Sequence, residues 1–365
     1  MTGRVVVLGA TGNFGARIVR ALKDDAAIEL LGASRRGGKV PGAETVPIVA
    51  LDAFAPDLAV RLREMAPSLV IHCIGPFQGQ DYRVAEAVLA AGAHYLDLAD
   101  GRAFVVQFAH AIQGRAFHAR KVAISGVSTL PALSSAVVEA LRDRLRVLES
   151  VEIAIAPGNR AMRGAATLAS VFSYLGRPGP VWQEGVWLKK FGWMDIRGIK
   201  LDIGQRWGAM CDVPDLTLIP ARYPELKSVS FHAALEFRLQ HLMLWKLAAL
   251  RRLGLVLPVE KWAVGLDRIA RLFDPCAGQW GGMRVSVVGQ NASGVRVRRT
   301  WHLKVPARDG PEIATLAAIV LARRLAGGER MRPGAYPCVG LVRLTEFEAE
   351  FPRWGVTTRI ENRAA

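Results

Sequence analysis

Three glycines, Gly9, Gly12 and Gly15, recur at intervals of three in VVVLGATGNFGARIVRAL, Val5 to Leu22. An apolar run precedes them and a helical pattern follows, the order in which a strand-to-helix turn offers backbone N–H groups to a phosphate. Gly9 would make the turn, and Gly12, flanked by Thr11, Asn13 and Phe14, would admit a pyrophosphate close to the backbone. Gly15 would let the helix pack against the strand. The spacing is G-x-x-G-x-x-G rather than G-x-G-x-x-G, so a ligand-free turn is the competing reading.

A dinucleotide site needs a second signal about 20 residues on, where a carboxylate marks NAD and arginine a 2′-phosphate. The stretch LLGASRR places Ser34, Arg35 and Arg36 there and no acid. Guanidinium forks match phosphate oxygens, so NADP is the expected cofactor; an exposed basic turn is the alternative. Asp52, at the end of the third strand candidate, would face the adenine amine or stabilise its own turn.

These residues need a sheet to position them. RVVVLGA, IELLGAS, ETVPIVALD, SLVIHCIG, AHYLDLA and KVAISGV read as short apolar strands, with Ala-rich helical stretches between them. Such alternation predicts a doubly wound, Rossmann-type parallel sheet. After STLPALSSAVVEALRDRL, a helix entered through Pro131, the rhythm changes. SVEIAIAPG, SVSFHAALEF, GMRVSVVGQ and GVRVRRTWHLKV are longer strands, the last two joined by a turn at NAS and Gly294. The expectation is an α/β chain with a Rossmann-type domain over 1–140. An α+β substrate and dimerisation domain with a mixed or antiparallel sheet follows over 141–365, part of 306–345 returning to the first domain.

Composition narrows the partners. The chain has 365 residues, 51% apolar, and a net charge of +16. Residues 1–150 carry 17 Lys and Arg against 14 Asp and Glu, whereas 151–365 carry 31 against 18, and all nine tryptophans lie at or after Trp182. The basic residues of the second half are scattered, without the clusters and interleaved aromatics of a nucleic-acid face, so no nucleic-acid partner is expected. Four separated cysteines and an N-terminus without a signal-peptide layout suggest a reduced, cytoplasmic compartment. No Cys or His spacing suits zinc, and no G-x-S-x-G surrounds Ser128, Ser134 or Ser135. The apolar segment 239–257 is interrupted by Lys246, Arg251 and Arg252, too early for a membrane span. It suits a core or homodimer-interface helix, or peripheral membrane contact.

The block VIHCIGPFQGQDYRVAEAVLAAGAHYLDLADGRAFV, with GATGNFG and SGVSTLPALSSAVVEAL, resembles the saccharopine dehydrogenase-like family of NADP-binding oxidoreductases over residues 1–140. Beyond them CDVPDLTLIPARYPELKSV, GPEIATLAA and PGAYPCVGL resemble uncharacterised members. The resemblance implies that Cys73, Ile74, Gly75, Pro76 and Phe77 line the nicotinamide half of the cofactor, where the carboxyl end of the fourth strand belongs. Relatives often carry Asn where this chain has His72.

The resemblance also implies that Tyr95 and Asp97 stand on the substrate side of the nicotinamide, with His94 and Asp100 near the same edge. In a dry pocket Asp97 would have a raised pKa and act as acid or base; Asp97 and Asp100 are equally suited to cap the helix that begins at GRAFVVQ. The family's chemistry implies hydride transfer to or from an imine between an amino acid and a carbonyl compound, with Arg160 and Arg163 as carboxylate clamps or as ordinary surface. Some relatives are enoyl reductases on lipid-like substrates, which HLMLWKLAALRRLG would suit. A non-catalytic NADP-binding scaffold at a partner or membrane is the remaining alternative.

Overall fold

Val5, Val6 and Val7 are fully buried in the middle of strand β1 (Gly3–Leu8), where branched side chains suit a strand covered on both faces. A computed structural model of the chain describes residues 2–161, 164–255 and 258–365. After β1 come α1 (Asn13–Leu22), β2 (Ile28–Ser34), β3 (Ile48–Ala50), α2 (Leu58–Met65) and β4 (Leu69–His72). Next are α3 (Arg83–Ala90), β5 (His94–Asp97), α4 (Arg102–His118) and β6 (Val122–Ser125). The six apolar runs read as strands in the first part of the sequence are these six strands.

The chain continues through α5 (Ser134–Arg142), β7 (Val147–Ala156), α6 (Ala165–Ser173), β8 (Pro178–Gln183), β9 (Val186–Phe191), β10 (Arg197–Leu201) and β11 (Gly204–Met210). Then follow α7 (Asp215–Arg222), β12 (Ser228–Leu235), α8 (Arg238–Arg252), α9 (Val259–Arg271), β13 (Trp280–Gln290) and β14 (Arg296–Pro306). It closes with α10 (Gly310–Ile313), α11 (Leu316–Ala326), β15 (Gly334–Pro337), α12 (Leu344–Glu350) and β16 (Thr357–Ala364).

Two compact units result, one of Met1–Ala132 with Glu312–Val342, the other of Leu133–Pro311 with Arg343–Ala365. The first is a seven-stranded parallel sheet in the order β15-β6-β5-β4-β1-β2-β3. Its seventh strand, β15, comes from the returning chain, and α11 packs on α1, β1 and β4. A buried ion pair joins that chain to α1, with Arg17 Nε 3.2 Å from Glu312 Oε1.

The second unit is a mixed sheet in the order β10-β11-β12-β7-β13-β14-β16. β12 runs parallel to β7 and the other pairs are antiparallel. Alternation along the strands divides its faces. Val151, Ile153, Val285, Val287, Trp301 and Leu303 form an apolar side, with α5 packed on β13 and β14 and α7 on β12. On the opposite side the cross-strand neighbours Glu152, Ser286 and Thr300 lie beside Arg284 and His302. There Arg284 and Arg298 pair with Glu152, and the Ser286 and Thr300 hydroxyls share a hydrogen bond of 2.9 Å.

The β13–β14 connection is the expected turn: Asn291 Oδ1 accepts from the backbone of Ser293 and Val295, and Gly294 has φ +78°. β8 and β9 form a separate hairpin. Among the described residues no helix is long and apolar enough to cross a membrane.

Candidate functional site

β1 lies between β2 and β4, so the direction in which successive strands are added reverses there and the loops after β1 and β4 face one crevice. Open α/β sheets bind ligands at such a switch point. The loop after β1 is pinned from below, since the N–H groups of Gly9 and Ala10 both donate to the Ala33 carbonyl, at 2.9 and 3.0 Å. Gly9 has φ +78°, and a Cβ on it would come within 2.8 Å of Ile74 Cγ1. The Gly-rich loop and the loop after β4 therefore touch.

A Cβ on Gly15 would overlap the Gly9 carbonyl, so the first turn of α1 can fold against this loop only with glycine there. Gly12 caps α1 and supplies no side chain to its N–H groups. The first helical bond is made by Ala16, donating to the Gly12 carbonyl at 3.0 Å. The N–H groups of Phe14 and Gly15, preceding it, have no intrahelical acceptor. A glycine-lined helix start with undonated N–H groups and the positive end of the helix dipole is a cradle for an anion.

The turn after β2 lies beside this cradle. Ser34 Oγ donates to the Gly37 carbonyl at 2.6 Å, closing a turn through Gly37 and Gly38, both at positive φ. A Cβ on Gly38 would lie 3.7 Å from Thr11 Cγ2. Arg35 and Arg36 occupy the same turn and are exposed. Asp52 is exposed too, with Oδ1 accepting from the Phe54 N–H at 3.0 Å, so it builds its own turn.

On the other side of β1, Cys73 N–H bonds the Leu8 carbonyl at 3.0 Å. Gln80 Nε2 donates to the carbonyls of Ile74 (2.9 Å) and Pro76 (2.7 Å), fixing the loop Cys73–Phe77. Phe77 is buried, its ring between those of His72 and Phe104. Burial, together with the nearby Asp97 carboxyl, pushes the Cys73 thiol well up, so it stays protonated.

Tyr95 and Asp97 lie beneath these loops, both fully buried. The Tyr95 hydroxyl hydrogen-bonds His72 Nδ1 at 3.0 Å, and burial lowers His72 to about 3, leaving it neutral. Asp97 Oδ1 accepts from the N–H groups of Ala99 and Gly126 and from Ser125 Oγ, each at 2.9 Å. Burial raises Asp97 to about 6, against the lowering effect of those hydrogen bonds. The carboxyl thus ties the end of β5 to the end of β6. Asp100 accepts from Gln78 Nε2 at 3.1 Å.

His94 departs from the expectation that put it near this edge. It begins β5, and its Nδ1 accepts from the Val122 N–H at the start of β6, so it belongs to the opposite end of the sheet. A four-residue strand spans about 10 Å, enough to separate its two ends. Gln80 and Ser125 were not singled out from sequence. The two glutamines in GPFQGQ were the available signal, because a loop full of exposed carbonyls needs side-chain donors.

Arg160 lies in the second unit, its guanidinium donating to the backbone carbonyls of Asp274 (3.0 Å) and Pro275 (3.4 Å). Arg163 falls outside the described residues. The apolar segment 239–257 is mostly α8, with 256 and 257 outside the described residues.

No protein-family model matches the chain, and no curated protein matches it in sequence. Solved structures do. Apo saccharopine dehydrogenase (L-Glu forming) from Saccharomyces cerevisiae aligns at TM-score 0.68 and 12% identity, over 99% of this chain and 100% of that one. The homospermidine synthase of Legionella pneumophila in complex with NAD aligns at 0.67 and 11% identity, over 100% and 92%. DAP dehydrogenase of C. glutamicum in complex with DAP aligns at 0.53 and 14%, over 96% and 99%. The chain therefore has the fold of NAD(P)-binding, Rossmann-type oxidoreductases. Within that class its fold is similar to that of saccharopine dehydrogenase.

Proposed function

We propose that the chain is an NADP-dependent oxidoreductase of the saccharopine dehydrogenase-like type, transferring hydride to or from an imine or a related small-molecule substrate. The observation that carries the reading is the start of α1: uncapped N–H groups, glycine where any Cβ would collide, and a basic turn alongside, all at the switch point of a parallel sheet. Fold neighbours named for saccharopine, homospermidine and DAP support chemistry at carbon–nitrogen bonds.

In this reading Thr11, Gly12, Asn13, Phe14 and Gly15 hold the pyrophosphate, and Ser34, Arg35 and Arg36 take the 2′-phosphate. Asp52 borders the adenosine end and Cys73–Phe77 the nicotinamide end. A nicotinamide held there would supply or accept the hydride. The chain's part is to hold the loop after β4 in one shape and keep water from it. Gln80 does so through the loop's carbonyls, the His72–Tyr95 pair from beneath, and Asp97 through the adjoining strand ends. Buried as they are, Tyr95 and Asp97 act here as positioning residues, and Asp97, raised to about 6, takes up a proton as pH falls through that value. Arg160 and Arg163 remain the carboxylate-binding candidates of the second unit. A homodimer and a reduced, cytoplasmic setting belong to the same proposal.

Titration with NADPH and NADH, followed by turnover on a panel of imines, ketones and enoyl compounds, tests it. Tight NADPH binding with imine turnover is the expected result. Enoyl turnover would favour the lipid-substrate alternative, and saturation without oxidation of any panel member would leave the scaffold reading.

A further inference from the structure

α8 is built inside out. Leu239, Leu242, Met243, Lys246, Leu250 and Leu253 recur at helical spacing, and every one is exposed, Leu253 to 81%. The opposite side is anchored by His241 and the small Ala248. A helix supported by a protein core would turn its leucines the other way.

α9 repeats the pattern. Trp262, Ile269 and Leu272, at intervals that keep one helical face, are exposed, Leu272 to 75%. The two helices meet where α8 begins and α9 ends: Gln240 near the start of α8 donates to the Ala270 carbonyl near the end of α9, and Phe237 meets Phe273 with ring centroids 5.2 Å apart. Scattered exposed leucines are ordinary, but nine large exposed apolar side chains among the described residues of 239–272 are a concentration that calls for a partner.

Charge decides which partner. α8 contains no acid, and Arg238, Lys246 and Arg252 are exposed along it, Arg238 over the ring of Trp207 and Arg252 over that of Phe191, with Arg268 exposed on α9. The acids of α9 are Glu260 and Asp267, and Asp267 is buried and bonded to Arg271 at 2.7 Å. A second copy would set this cationic surface against itself, because a two-fold interface places like patches together. Anionic headgroups over acyl chains answer both properties at once, cations at the phosphate level and leucines and tryptophan below.

We propose that the outer surface of α8 and α9 docks on an anionic lipid bilayer, with the helices lying in the headgroup plane. This surface is independent of the oxidoreductase chemistry proposed for the Gly-rich loop.

Vesicle flotation of the full chain tests it, using phosphatidylcholine alone and phosphatidylcholine with about 30% phosphatidylserine. The protein should float with the anionic vesicles and stay behind with the neutral ones, and raising salt from about 0.1 M to about 0.5 M should release much of it. Leu253→Glu and Leu272→Glu should each lower vesicle partitioning about tenfold, since each trades a buried leucine for a charge repelled by the surface. Both side chains stand in solvent, so melting temperature and NADPH affinity should not move. Lys246→Glu provides an independent variant at a polar position and should weaken anionic binding alone. Failure of the unmodified protein to float with the anionic vesicles overturns the proposal, as does unchanged flotation of both leucine variants. A dimer in light scattering that the same variants convert to monomer would assign the surface to a second copy instead.

Discussion

At the scale of single residues, the choice between nicotinamide cofactors rests on the turn after β2. Arg35 and Arg36 are exposed in that turn, which Ser34 closes and which lies against Thr11 of the Gly-rich loop. A 2′-phosphate arriving there meets guanidinium groups, whereas a bare ribose hydroxyl gains little from them and finds no carboxylate acceptor. Arg35→Glu should therefore weaken NADPH binding by about a hundredfold, losing a charge-assisted contact and adding repulsion. NADH affinity should change by less than about threefold, the scale of a surface charge effect. Paired fluorescence titrations measure both, and an equal fall in the two affinities would remove the NADP assignment. Asp52, which serves its own turn through Phe54, should tolerate replacement by Asn with little effect on either cofactor.

At the scale of elements, α1 depends on two features of different origin. Its start fits against β1 only because Gly15 has no side chain, so Gly15→Ala must push α1 away from the Gly9 carbonyl. A cost of about 1–3 kcal/mol in stability is expected from such overpacking. NADPH affinity should fall with it, read by calorimetry and thermal melting. Its middle is tied to the returning chain by the buried Arg17–Glu312 pair. Glu312→Ala should cost about 3–5 kcal/mol by leaving a buried guanidinium without its carboxylate. The first feature was legible in the sequence, as glycine spacing between a strand and a helix; the second was not, since no local pattern joins residues so far apart. The same divide runs through the fold. The six apolar strands of the first unit were legible because a parallel sheet buries both faces and leaves unbroken apolar runs. β8 and β9 were not, because Glu184 and Gly185, both at positive φ, make their turn without the Asn-Gly or Asp-Gly that marks such hairpins. Exposure in β9 also leaves Trp187 and Leu188 outside any alternating pattern. At the site, the loops at the ends of β1, β2 and β4 were readable from composition. The Gln80 clamp and the His72–Tyr95 bond depend on tertiary packing that no spacing encodes.

At the scale of the whole molecule, buried ionisable groups set how stability responds to pH. Burial lowers His72 to about 3 and His94, His232 and His241 to about 4, while it raises Asp97 and Asp215 to about 6. Each histidine is neutral in the folded chain and becomes protonated on unfolding below its ordinary value near 6.5, so its contribution is lost as pH falls from about 6.5 toward about 4. Each aspartate works the other way, holding a proton when folded between about 4 and about 6 and releasing it on unfolding, which favours the folded state at the acid end of that range. Burial lowers His302 as well, so five histidines oppose two aspartates, two histidines and one aspartate in the first unit and three and one in the second; unfolding takes up protons overall and acid should win. Thermal unfolding followed from pH 7 to pH 4.5 should show the melting temperature falling throughout, in both units if they melt separately. His241→Phe should flatten the fall by about one proton's worth of slope, because it keeps an aromatic ring between Trp193 and Trp207 and removes the group that titrates. Asp97→Asn should steepen the fall between about pH 4 and pH 6 by a similar amount, since it deletes a group that resists acid. A melting temperature that rose on acidification across this range would mean that the aspartates, not the histidines, dominate the buried charge.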